Sequence, residues 1–174
     1  MVSRHAAGFV VEAMRPADVE GVLAVQRQAY AGIDVLENAA FFLNRIHLAP
    51  GSCWVARGAD GIWGYLVSYP WSLDAPPKLN VPLAGLPADA RNWFLHDCAV
   101  LPAASGKGIG TALVRTGIAH AERAGFAWAT LVSLAPACGY WMRLGFEPVQ
   151  LEPGALRDYG PGARFMRRPL AAGA

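Results

Sequence analysis

Apolar residues recur along the chain in short runs of changing period, and the periods predict a succession of brief elements. Residues 9–13 alternate as a strand does. Arg15-Pro16-Ala17-Asp18 then opens a helix with Pro16 near its first turn; its apolar face is Val19, Val22, Leu23 and Tyr30, with Gln26 the one polar member. A second helix is expected over residues 36–48, carrying Phe41, Phe42 and Ile46 and stopped by Pro50-Gly51. The runs 53–57 and 62–69, joined by the Gly- and Asp-containing residues 58–61, read as an antiparallel hairpin. Residues 70–91 hold Pro70, Pro76, Pro77, Pro82 and Pro87 and little periodicity. A connection of that length is often functional.

The second half reads more regularly. A strand at 93–100 leads through a glycine-rich turn at 105–110 into a helix at 111–124, with Leu113, Val114, Ile118 and Ala121 inward and Gly125 as its end. Residues 126–134 form a nearly unbroken apolar run, the pattern of a strand covered on both faces. The right-handed crossover rule makes it parallel to 93–100. A short helix at 137–144 and strands at 146–151 and 163–170 follow. The expectation is an α/β fold with one mixed sheet of about seven strands and about four helices.

Composition narrows the function. At 174 residues and 18.5 kDa, without internal repeats, the chain is expected to be one domain with a core over residues 9–170. Lys and Arg number 15 against 13 Asp and Glu, too balanced for affinity built on phosphate neutralisation, so nucleic acid is not an expected partner. Apolar runs are too short for a membrane span, and the N-terminal one is cut by Glu12, so no signal peptide is expected and the chain reads as cytoplasmic. Cys53, Cys98 and Cys138 form no CxxC pair, which argues against disulfides and against any metal site.

Gly106-Lys107-Gly108-Ile109-Gly110 lies between a strand and a helix, where bare N–H groups and the helix dipole suit a phosphate or pyrophosphate. The Walker pattern fails, because Gly106-Lys107 is followed by Gly108. The dinucleotide pattern fails at Thr111. On spacing alone, a tight turn without a ligand remains open.

The neighbours carry a resemblance. Leu95-His96-Asp97-Cys98-Ala99-Val100-Leu101-Pro102 followed by Ser105-Gly106-Lys107-Gly108-Ile109-Gly110-Thr111 is similar to the acetyl-CoA-binding motif of the GNAT N-acetyltransferase family. Tyr140-Trp141-Met142-Arg143-Leu144-Gly145-Phe146 resembles its second motif, and the order of elements agrees over nearly the whole chain. The resemblance implies a sheet splayed between the fourth and fifth expected strands. Pantetheine would lie along Cys98, Ala99 and Val100, and the pyrophosphate on the turn from Ser105 to Thr111. Trp141 would stand at the wall of the cofactor site. It further implies transfer of an acetyl group from acetyl-CoA to a small-molecule or protein amine, and is compatible with a homodimer. Ser105 replaces the family's Arg or Gln, Ala135 an Asn common among relatives, and Trp141 the usual acidic Tyr.

Transfer from a thioester to an amine needs a proton acceptor and benefits from a donor for the leaving thiolate. His96 suits the first role by its ordinary pKa near 6.5, and arylalkylamine acetyltransferases carry a catalytic His in a similar segment. By the period of two it shares a face with Phe94 and Cys98, while Asp97 points away and is a candidate to hold the proline-rich segment. Tyr140 is the expected donor if the short helix is rotated. Cys98 reads as an inert thiol. Tyr30, Phe41, Phe42, Trp71 and Trp93 are candidate acceptor walls, and Asp34, Glu37 and Asp74 candidate anchors for a cation. A CoA-sensing domain without transfer, and an unrelated nucleotide binder, are the competing readings.

Overall fold

The computed structural model describes residues 3–5, 8–33, 36–72 and 75–171, the first three by backbone alone. The elements run β1 (Ser3–His5), β2 (Phe9–Ala13), α1 (Val19–Ala29), α2 (Ala39–Leu48), β3 (Trp54–Gly58), β4 (Gly61–Trp71) and β5 (Asn92–Val100). Then come α3 (Ile109–Arg123), β6 (Trp128–Ser133), α4 (Cys138–Arg143), β7 (Glu147–Pro148) and β8 (Arg164–Pro169), with short 3-10 turns between. The sheet order is β1-β2-β3-β4-β5-β6-β8-β7. All seven expected strands are present, and β1 adds a short edge. Strand β7 is shorter than the expected 146–151, since Pro148 has no N–H to extend a ladder.

Local chemistry explains the helix ends. Asn38 caps α2 by accepting the Phe41 N–H at 3.0 Å, so this helix starts three residues later than its apolar pattern suggests. Helix α3 starts at Ile109, two residues earlier than expected, because Gly108 takes a left-handed φ of 75° as its N-cap. A Cβ at Gly64 on β4 would stand 2.9 Å from both the Ala99 carbonyl and Ile109 Cγ2. The bare α-carbon lets the first turn of α3 close onto the sheet.

Two apolar layers cover the two faces of the sheet. On one, α3 packs over Trp54, Leu66, Trp93, Leu95 and Leu131. On the other, α1 and α2 bring Val22, Val25, Phe41 and Phe42 against Val55, Tyr65, Val67, Tyr69 and Phe94.

Among the described residues strands β5 and β6 are the only parallel pair, and their ladder ends at Leu95 and Leu131 although β5 runs on to Val100 and β6 to Ser133. From His96 onward the two strands diverge. The expected splay is therefore present, and it leaves one side of β5 without a neighbouring strand.

Candidate active site

The divergence opens a cleft of about 870 Å³. Its walls come from β5, the turn and first residues of α3, the segment from Leu134 through α4, the loop after α1, and the connection between β7 and β8.

Of the residues expected at a cofactor site, Cys98, Val100, Ser105, Gly106, Gly108, Ile109, Gly110, Thr111 and Trp141 line the cleft. Ala99 and Lys107 do not. The Ala99 side chain lies on the α1/α2 face, and Lys107 Nζ sits 4.4 Å from the centre of the Trp63 ring, a cation–π contact that turns it away. Gly106 and Gly108 both have left-handed φ, 79° and 75°, and a Cβ on either would meet nothing within 4 Å. The turn thus presents main chain and open space at the positive end of a 15-residue helix.

A bulge at His96 corrects the reading by alternation. Val67 pairs with Asp97 and Ser68 with Leu95, which leaves His96 as an extra residue on β5. The bulge brings His96 and Asp97 to the same face, the α1/α2 face, and sends Cys98 to the other. The His96 imidazole, 1% exposed, packs on Phe41 at 4.7 Å. Its Nδ1 lies 2.7 Å from the Tyr69 hydroxyl and its Nε2 2.7 Å from Glu37 Oε1. Asp97 does not hold the proline-rich segment. Its oxygens accept the hydroxyls of Tyr30 at 2.6 Å and Tyr65 at 2.5 Å, and burial pushes its carboxyl above the ordinary range despite both bonds.

Glu37, which sequence reading offered only as a cation anchor, lines the cleft and meets His96. Gln26, the polar member of the α1 face, fixes it: Gln26 Nε2 donates to the Glu37 carbonyl at 2.7 Å and Oε1 accepts the Glu37 N–H at 3.1 Å. Glu37 Oε2 is buried and has no partner. Arg45 lies behind, fully buried, with its guanidinium 5.0 Å from the Tyr69 ring centre. Its pull holds down, in part, a Tyr69 phenol that burial raises. When the Nε2 hydrogen goes to the Glu37 carboxylate, Nδ1 is left to accept the Tyr69 hydroxyl hydrogen. Glu37 Oε2 is then the unpartnered acceptor at the end of this chain.

On the opposite wall the Tyr140 hydroxyl is buried and without a partner, 3.2 Å from where a Cβ on Gly110 would stand. Burial, then the neighbouring Cys98, raises its phenol above 10 and keeps it protonated at neutral pH. Trp141 packs edge-on against Phe146 at 5.6 Å. Both residues reach the cleft, so Tyr140 needs no rotation of α4 to do so. Cys98 is pushed up to about 12 by burial, which fits an inert thiol.

Of the expected acceptor walls only Tyr30 lines the cleft. Phe41 and Phe42 are core, Trp93 faces α3 beside His120, and Trp71 donates to the Ala75 carbonyl. Asp34 and Asp74 lie outside the described residues. Among the described residues no group of His, Cys, Asp and Glu could hold a metal ion, and no helix is long and apolar enough to cross a membrane.

A mixed sheet splayed between β5 and β6, with a glycine turn and a helix start at the end of the opening, defines the class of fold. The model of the acetyltransferase (GNAT) family matches residues 21–146, well over half the chain, and the chain belongs to that family. Among curated proteins none matches in sequence. Among solved structures, Ard1 from Thermoplasma volcanium is 17% identical with a TM-score of 0.71, over 94% of this chain and 99% of its own. The ribosomal-protein-S18-alanine N-acetyltransferase of Escherichia coli is also 17% identical, TM-score 0.68, with 94% of each chain covered. The GphF GNAT-like decarboxylase, solved with isobutyryl-CoA, is 18% identical with a TM-score of 0.75, over 92% of this chain and 99% of its own. At such identities the likeness concerns the fold.

Proposed function

We propose that the protein transfers an acetyl group from acetyl-CoA to a primary amine in a ternary complex. The observation that carries this is the pair of buried, unpartnered polar atoms on opposite walls of one cleft, Glu37 Oε2 and the Tyr140 hydroxyl. Leaving such atoms unpaired costs about 1–3 kcal/mol each, a cost that a bound ligand removes.

The cosubstrate supplies an activated acyl carbon and a thiolate leaving group. The open edge of β5 at Cys98 to Val100 is suited to pair with its amide-bearing arm, and the main chain of Ser105, Gly106, Gly108 and Ile109 to receive its phosphates. Glu37 Oε2 takes the proton that the attacking ammonium must lose, with His96 and Tyr69 holding the carboxylate in place and sharing the charge that changes there. As the N–C bond forms and the C–S bond breaks, Tyr140 donates a hydrogen bond to the departing sulfur. A thiolate with pKa near roughly 8.5 can then leave without a full proton transfer. His96 accordingly acts with Glu37 rather than as a free base.

The fit with acetyl-CoA is tested by thermal unfolding with acetyl-CoA, CoA, ATP and NAD, each near a hundred times its plausible dissociation constant. Selective binding adds about 2.7 kcal/mol, a rise on the order of 5–11 °C. A rise with the CoA species alone, followed by thiol release with an amine, supports the reading; no rise with any of them overturns it. Trp141 at the family's Tyr position favours one alternative, a CoA-binding module without transfer. That module would show the thermal shift and release no thiol.

A further inference from the structure

We propose that Tyr159 roofs the acceptor end of the cleft and restricts the acceptor to a small primary amine on an apolar body, without a carboxylate. This rests on the transferase reading above. Tyr159 belongs to the connection between β7 and β8, and its hydroxyl donates to the carbonyl of Pro77, 82 residues away in the proline-rich segment. That bond ties together the two segments that flank the acceptor end. Tyr159 and Asp158 line the cleft from one segment and Leu79 from the other. Burial raises the Tyr159 phenol, and the neighbouring Tyr69 and Glu37 add to that effect. Tyr159 and the carboxylate that would take the proton line the same cleft. The tie holds the two segments together at one end of the cleft and narrows the way out for a polypeptide that trails from its reacting terminus.

Charge selects within the small amines. Among the described residues lining the cleft the acidic ones are Glu37, Asp97 and Asp158, and none is Lys or Arg. Both Asp97 oxygens are already bonded to Tyr30 and Tyr65. Glu37 and Asp158 thus remain to attract an ammonium, and a carboxylate on the acceptor would be buried beside them unpaired. Ile33, 43% exposed at the rim, and Leu79 offer apolar contact to the rest of the molecule.

The test is thiol release from acetyl-CoA with phenethylamine, phenylalanine and a tetrapeptide amide that begins with Phe. The kcat/KM for phenethylamine should exceed the other two by roughly tenfold or more. Tyr159→Phe keeps the ring and loses the tie. It should raise the peptide-to-phenethylamine ratio of kcat/KM about fivefold, mainly through KM, and speed limited proteolysis within residues 72–91. Equal use of phenylalanine or the peptide by the wild type, or an unchanged ratio and unchanged proteolysis in the variant, would overturn the proposal. Acetyl-CoA binding with no thiol release from any amine is the separate failure of the transferase reading, and the proposal falls with it.

Discussion

For Tyr140 the predictions for stability and rate run in opposite directions, which separates a functional group from a structural one. The Tyr140 hydroxyl has no partner to lose. Tyr140→Phe should therefore raise stability by about 1 kcal/mol while lowering kcat by about 10²-fold; a lower melting temperature with unchanged turnover would make the tyrosine structural. For the proposed proton acceptor, Glu37→Gln keeps the shape and a bond to His96 but removes the charge. It should lower kcat/KM by about 10²- to 10⁴-fold and alter its pH profile, because Gln does not titrate. His96→Ala is a poorer probe. It leaves a cavity against Phe41 and strands the Tyr69 hydroxyl, and the resulting loss of about 2–5 kcal/mol would obscure any kinetic effect.

At the scale of elements, the bulge on β5 and the left-handed start of α3 set the site. Without the extra residue at His96, strict alternation would place Asp97 on the α3 face, away from Tyr30 and Tyr65. Gly108 fixes where the helix begins and hence where its first free N–H groups point. Gly108→Ala forces a Cβ into φ 75° at a cost of about 1–2 kcal/mol. The substitution meets open space, so the protein should still fold with a slightly lower midpoint, and the thermal shift produced by acetyl-CoA should shrink markedly. A full shift in this variant would mean that the turn does not hold the phosphates.

At the scale of the whole molecule, the buried carboxyl between the sheet and α1 couples global stability to pH. Asp97 has a raised pKa in the native state, so between the ordinary carboxylate value and the raised one the folded protein binds more protons than the unfolded chain. Stability from this group is greatest at low pH and is lost as pH rises through that window. Asp97→Asn removes this term. In melts from pH 4 to 8, its melting temperature relative to wild type should climb with pH; a constant difference would mean that Asp97 titrates normally. The same cluster anchors Tyr30 at the end of α1, which sets one lip of the cleft.

The order of elements, the parallel crossover between β5 and β6, the glycine turn and the inert Cys98 were all legible in the sequence, because they rest on periodicity and local backbone chemistry, which act over a few residues. Gln26 was a partial signal, a polar residue on an apolar helix face, but nothing nearby says that it clamps Glu37. The Glu37–His96–Tyr69 chain joins positions 59 and 27 residues apart, and the Tyr159–Pro77 tie joins positions 82 apart. Such contacts follow from how two layers pack on a sheet, and no spacing along the chain encodes them. The bulge at His96 was hidden for a related reason: period two is a property of a strand alone, whereas a bulge is a property of its register with a neighbour. The sequence by itself thus determined the frame and the glycine turn, and the tertiary structure decided that Glu37 faces the cleft, which way His96 and Asp97 point, and which distant segments the Tyr159–Pro77 bond joins.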